Sequence, residues 1–229
     1  MASNNEYEIA LIDNETDARL CAKLIAEEFA LHNPLSIFNQ VTAEHLFDKW
    51  LWPLMIDVLD EKLSFLVRYR PTNEIIAATI ANDLYLVCEK YPYDPFSPAS
   101  IDPMVDLFEE IRDRFVHHDF DQKLQPNMVL CISAGATRSQ HSGKSLGIQL
   151  RTRICDHARN TKGFQYAFIK TNNPATRHIY VKKMNGKEMS ILDPATWVWK
   201  KKGDGLSCPV KDYKGEPIVN VLVKLNEQN

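Results

Sequence analysis

The segment that most constrains this chain runs from Met128 to Leu150. An apolar run of strand length, MVLCIS, leads into the small-residue stretch AGATRSQHSGKS, and a helix-patterned segment follows at once. An apolar run with no polar alternation predicts a strand covered on both faces. After the turn, Leu146, Leu150, Ile154 and Ala158 recur at helical spacing from Ser145 to Lys162, with Gly163 as the stop. A strand that turns straight into a helix leaves free backbone N–H groups and a positive dipole end at the turn. Small residues let that backbone approach an anion closely, so the segment reads as a phosphate cradle. The plainer reading is a strand-to-helix connection without a ligand.

The surrounding pattern predicts a mixed α/β protein. Tyr7 to Ile12 alternates as a strand, and Thr16 is placed to cap a helix reaching about Leu31. Thr42 opens a second helix that Pro53 should kink or end. Leu63–Tyr69 and Glu74–Ala81 read as a hairpin, and proline-rich Glu89–Ser100 as a loop. Asp102-Pro103 starts a helix carrying Met104, Phe108, Ile111 and Phe115. Gln165–Lys170 is a strand, and Asn173-Pro174 begins a helix ending near Asn185-Gly186. The tail holds Ile191–Trp199 and a last strand, Ile218–Leu225. One central sheet in a single domain, residues 1–229, is the expectation.

Composition closes off several classes. At 45% hydrophobic and 25% charged, general disorder is excluded. Lys and Arg total 27 against 30 Asp and Glu, a net charge of −3 that lacks the footprint of a nucleic-acid binder. The run Lys200-Lys201-Lys202 reads as a solvated turn. MASNNEYEIA shows no basic n-region or apolar h-region and no run nears the roughly eighteen apolar residues of a membrane span, so a cytoplasmic protein without a secretory signal is expected. Cys21, Cys88, Cys131, Cys155 and Cys208 are scattered and form no metal-ligand pattern, which reads as reduced thiols and no metal site.

Two kinds of phosphate loop compete for the cradle. Gly143-Lys144-Ser145 matches the end of the nucleotide P-loop, but that motif requires glycine where Arg138 stands. The alternative is the acetyl-CoA loop Q/R-x-x-G-x-G/A, which Gln140-His141-Ser142-Gly143-Lys144-Ser145 fits with Ser145 as the last small residue. With the helix, the strand YAFI, and Asn173 spaced from Tyr180 as in an N…LYEKxGF segment, the sequence resembles the GNAT superfamily of N-acetyltransferases. Met184-Asn185 replace the usual Gly-Phe. Upstream, EFALHNPLSIF (Glu28 to Phe38) resembles the F-x-x-x-E-P-L segment of invertebrate arylalkylamine N-acetyltransferases, with Asn33 where those enzymes place a glutamate.

The resemblance implies a GNAT-like mixed central sheet flanked by helices, with a helical insertion before the cofactor-binding strand. An acceptor half would span about 1–127 and an acetyl-CoA half about 128–229. It implies an acetyl-CoA-dependent N-acetyltransferase acting on a small primary amine, arylalkylamine or polyamine-like. The alternatives are a non-catalytic CoA-binding module of the same fold, or a P-loop nucleotide binder. Gln140, His141, Ser142, Gly143, Lys144 and Ser145 would hold the pyrophosphate, and Ala136 and Thr137 the pantetheine arm. Arg138 would supply positive charge, and Asn173 would open the helix carrying Tyr180.

Tyr180 is the expected acid for the leaving thiolate, its plain alternative being a core tyrosine. For the base, His32 is a candidate because imidazole ordinarily titrates near neutrality. Glu28 and Glu27 lie one turn before it, and Asn33 offers to fix a water chain. Glu89, His117 and His118 are further candidates, whereas His178 should face away. Trp50, Trp52, Tyr91, Tyr93 and Phe96 either wall an acceptor pocket or pack the core. Acetyl-CoA and a small amine are the expected partners, with no metal, nucleic acid or membrane, in a monomer or homodimer.

Overall fold

A computed structural model describes residues 6–203 and 207–225. The chain opens with β1 (Tyr7–Leu11) and α1 (Glu15–His32). Asn14, not Thr16, caps α1: its side chain accepts from the Asp17 N–H, the first position where an asparagine can both leave the strand and close the turn. Asn33 ends α1 and caps the short α2 (Pro34–Phe38). Thr42 caps α3 (Ala43–Leu46) as expected.

Pro53 does not end the helix that follows. A widened π turn, Phe47–Leu51, carries the Trp52 N–H back to the Phe47 carbonyl, and α4 (Trp52–Val58) then takes Pro53 in its first turn. There a missing N–H costs little. The hairpin follows as β2 (Phe65–Tyr69) and β3 (Glu74–Asp83), and Asp83 caps a helix that sequence patterning missed, α5 (Leu84–Lys90). The insertion continues with α6 (Pro103–Arg114), capped by Asp102, and a second π turn, Phe115–Asp119.

The cofactor-half elements are β4 (Val129–Thr137), α7 (Leu146–Lys162), β5 (Tyr166–Thr171) and α8 (Pro174–His178). β4 extends four residues beyond the apolar run, and a third π turn, Ile179–Lys183, continues α8. β6 (Lys187–Leu192) begins and ends earlier than the Ile191–Trp199 segment, and β7 (Ile218–Lys224) closes the sheet.

The seven strands lie in the order β1-β2-β3-β4-β5-β7-β6. Pairing is antiparallel throughout except between β4 and β5. That mixed pattern departs from the mostly parallel sheet on which P-loop nucleotide binders are built. One sheet face is covered by α1, whose Ala18, Leu24 and Ile25 pack with Leu66, Ala78 and Ile80, and by α5 and the segment after α6 over Cys131 and Phe168. The other face packs Leu130, Ile132 and Ile169 against Leu146, Leu150 and Ile154 of α7.

Lys200-Lys201-Lys202 is a turn with Lys200 and Lys202 exposed, as expected, but its middle lysine is not solvated. Lys201 buries its side chain against Asp106 at 3.0 Å, and Lys200 meets Glu110 at 2.6 Å, which ties the tail to α6. No helix among the described residues is long and apolar enough to cross a membrane.

Candidate active site

The site begins where two strands part. β4 and β5 pair through Val129–Ile132 and Tyr166–Ile169, and Ile132↔Ile169 is the last shared position. Beyond it β4 stays with β3, as Ala136↔Ala78 and Thr137↔Ala77, while β5 stays with β7 up to Thr171↔Val219. Ser133 is the wedge residue. Pairing with β3 steps from Ile80↔Ala134 to Ala81↔Ile132, so Ser133 is the extra residue of a bulge that bends β4 away. The β5-side backbone edge of Ala136 and Thr137 therefore has no strand against it, which suits an extended ligand added as a strand.

At the far end of β4 the cradle is present. Gly143 and Ser145 have φ of 76° and 60°, so consecutive N–H groups turn toward one concavity. Ser145 stands at the N-cap of α7 with no side-chain bond across it. Among the described residues, none of the N–H groups from Gly143 to Ile148 donates to a protein acceptor; the first α7 bond runs from the Gln149 N–H to the Ser145 carbonyl. Unpaired donors at a helix start fit a pyrophosphate.

Other loop side chains turn elsewhere. Lys144 donates to the Tyr7 hydroxyl at 2.7 Å, and His141 lies 3.2 Å from the same oxygen and edge-on to Tyr69. Gln140 and Ser142 are exposed. Arg138 does not face the cradle: it reaches back to α1, 2.6 Å from Glu27 and 3.3 Å from Glu28. Two carboxylates on one side of a short loop outcompete open solvent for a guanidinium.

A cleft of about 1680 Å³ joins the cradle, the strand gap and the underside of α1, α2 and α6. Glu28, His32 and Asn33 border it together. Glu28 is buried, between Arg138 and His32 Nε2 at 3.6 Å, whereas His32 is exposed at the rim. Asn33 is committed: its side-chain oxygen accepts from the Leu35 and Ser36 N–H groups, so it caps α2 instead of holding a water. Asn173 likewise caps α8, accepting from the Thr176 N–H.

Tyr180 borders the cleft from within the third π turn, yet it is fully buried among the α7 contacts. The Arg151 guanidinium lies over the Tyr180 ring, 5.5 Å from its centre, while the Tyr180 hydroxyl and the Arg151 Nε have no hydrogen-bond partner within 3.5 Å. Burial raises the phenol above its ordinary range, which keeps the proton on.

Several expectations are corrected. Glu89, His117 and His118 do not border the cleft, and His117 instead pairs with Asp113 at 2.9 Å. His178 does border it. Of the aromatic candidates, Trp50 and Tyr91 line the cleft; Trp52 stacks on Phe47, Tyr93 lies under Lys201, and Phe96 is exposed. Sequence reasoning missed Lys170, on β5 one residue past the parting point and on the cleft wall. Its signal was a charge closing the apolar strand AFIK.

Known structures share this fold. The C-terminal condensation domain of Ebony, solved with beta-alanyl-dopamine, superposes with a TM-score of 0.72 at 14% identity, covering 95% of this chain and 98% of that one. The chain has the GNAT fold. A putative arylalkylamine N-acetyltransferase 7 from the mosquito Aedes aegypti gives 0.68 at 10% identity, over 96% and 88% of the two chains. The putative acetyltransferase YncA of Salmonella typhimurium, solved with acetyl-CoA, gives 0.53 at 13%, over 98% and 96%. Agmatine and polyamine N-acetyltransferases share the fold too. No family model matches the sequence, and no curated protein sequence does.

Proposed function

We propose that the protein transfers an acetyl group from acetyl-CoA to a small primary amine. The observation that carries this is the parting of β4 from β5 in line with a cradle of unpaired N–H groups, both opening into one cleft. Similarity to N-acetyltransferases of the same fold supports it.

Acetyl-CoA supplies the activated thioester carbonyl. The N–H groups of Gly143 to Ile148 hold the pyrophosphate, and the free edge of Ala136 and Thr137 pairs with the pantetheine arm. Glu28 and His32 take the proton that the acceptor ammonium must lose before it attacks. Arg138 holds the Glu28 carboxylate beside the imidazole, so the carboxylate orients the ring, and the imidazole at the rim passes the proton to solvent. Tyr180 keeps its phenolic proton and gives it to the departing thiolate.

The test is calorimetric titration with CoA and with ATP, then a screen of primary amines reading CoA release. CoA binding at 1:1 and turnover with an amine are expected. CoA binding without turnover on any amine would convert the reading to a non-catalytic module, and ATP binding without CoA would overturn it.

A further inference from the structure

The charges around the cleft are not balanced, and part of the imbalance lies on its α6 side. Each carboxylate on the wall is engaged. Glu28 meets Arg138, Asp57 meets Lys90, Asp102 caps α6 through the Met104 N–H, and Glu109 lies 3.7 Å from Lys201. Two cations on the α6 side are not so matched. Lys170 Nζ donates to the Phe108 carbonyl at 3.2 Å, and Arg112 donates to the Tyr91 carbonyl at 2.6 Å. Among the described residues neither has a carboxylate within ion-pair distance.

Lys170 lies half-buried on the sheet face that carries Cys131 and Phe168, beneath α6. The nearby Cys88 thiol does not compensate it, because burial pushes that thiol up to about 11. An ammonium partly withdrawn from water without a counter-charge is costly, and burial lowers Lys170 to about 8. The cradle and α7 serve the anionic cofactor from the other side of the sheet, so Lys170 and Arg112 face what remains, the acceptor.

We propose that Lys170 and Arg112 form a carboxylate subsite, so that the preferred acceptor is an amine that also carries an acid group, an amino acid rather than a simple amine. The inference rests on the transferase reading above. It supplies the missing counter-charge as ligand: a carboxylate accepts from both cations through charge-assisted hydrogen bonds. The same two cations repel a second ammonium, which disfavours polyamines.

The experiment compares matched acceptors with the full chain: tyrosine against tyramine, and 4-aminobutyrate against butylamine. For at least one pair the acid-bearing member should show a kcat/KM about tenfold or more higher. In Lys170→Gln that value should fall on the order of 10²-fold, chiefly through KM, while the acid-free partner changes by less than about threefold. Lys170→Arg should recover part of the loss. Arg112→Gln, on the half-exposed face of α6, should shift the preference in the same direction and guards against misfolding of the Lys170 variant. Turnover confined to acid-free amines, or an equal loss with both members of a pair, overturns the subsite and leaves the transferase standing. No CoA release with any amine overturns the transferase reading itself.

Discussion

Arg138 and Glu28 are 110 positions apart in sequence, yet the Arg138 Nη1 lies 3.3 Å from the Glu28 Oε1. This contact ties the end of β4 to the C-terminal part of α1, joining the strand that leads to the cradle to the acceptor wall. Glu28 is buried and a quarter of the Arg138 side chain is exposed. Arg138→Ala should therefore destabilise the protein by about 1–3 kcal/mol, because it strands a buried carboxylate. Glu28→Gln should remove that penalty in the Arg138→Ala background. Denaturant unfolding of the four proteins in the cycle measures the coupling; additive losses would show that the contact contributes nothing.

Tyr180 offers a prediction with opposite signs for its two roles. Its hydroxyl is buried and has no hydrogen-bond partner. Tyr180→Phe should therefore leave the melting temperature unchanged or raise it, since it removes an unpaired polar group and keeps the ring. If the phenol protonates the thiolate, kcat should still fall on the order of 10²-fold with little change in KM for acetyl-CoA. Normal turnover in a stabilised variant would remove Tyr180 from the chemistry.

What the sequence disclosed follows from the range of the forces involved. Asn173, Asp102 and Thr42 cap their helices because a cap depends on residues two or three positions away, which the sequence displays. Gly163 stops α7 in the left-handed region for an equally local reason. Pro53 leaves the helix running but irregular: a π turn five residues long precedes it and absorbs the missing donor. The side-chain directions of Arg138, Lys144 and Lys201 were not legible because their partners, Glu28, Tyr7 and Asp106, are about a hundred residues away. Asn33 lay where a catalytic group was sought, but a Pro-Leu-Ser turn immediately after it claims its oxygen. Lys170 escaped notice because one charge at a strand end gains meaning only when the neighbouring strand departs.

The cradle should separate binding from chemistry. Gly143 has φ of 76° with open space around the position a Cβ would take. Gly143→Ala meets no clash, so its cost is the left-handed backbone alone, about 1 kcal/mol. Tilting the N–H groups there should raise the Kd for CoA and the KM for acetyl-CoA severalfold, with kcat near its original value. Calorimetry with CoA checks the first and steady-state rates the second. A loss confined to kcat would mean that the loop does not carry the pyrophosphate.

Lys170 gives the pH dependence. Burial lowers its ammonium to about 8 from an ordinary 10.5, so between those values the unfolded chain binds more of this proton than the folded one. Stability must rise with pH wherever the unfolded state binds more protons, so this group contributes an increase from about pH 8 to 10.5. Below that window both states are protonated, and the full cost of burying the cation is present. Lys170→Met keeps the chain length in the wall without the charge. It should be more stable than the parent at pH 7, by a difference that shrinks toward pH 10.5. Paired denaturant titrations across that range isolate Lys170 from the other groups that titrate there, because those are common to both proteins. A constant difference between the two curves would show that Lys170 keeps its ordinary acidity, with its ammonium in water and not held against the cleft wall.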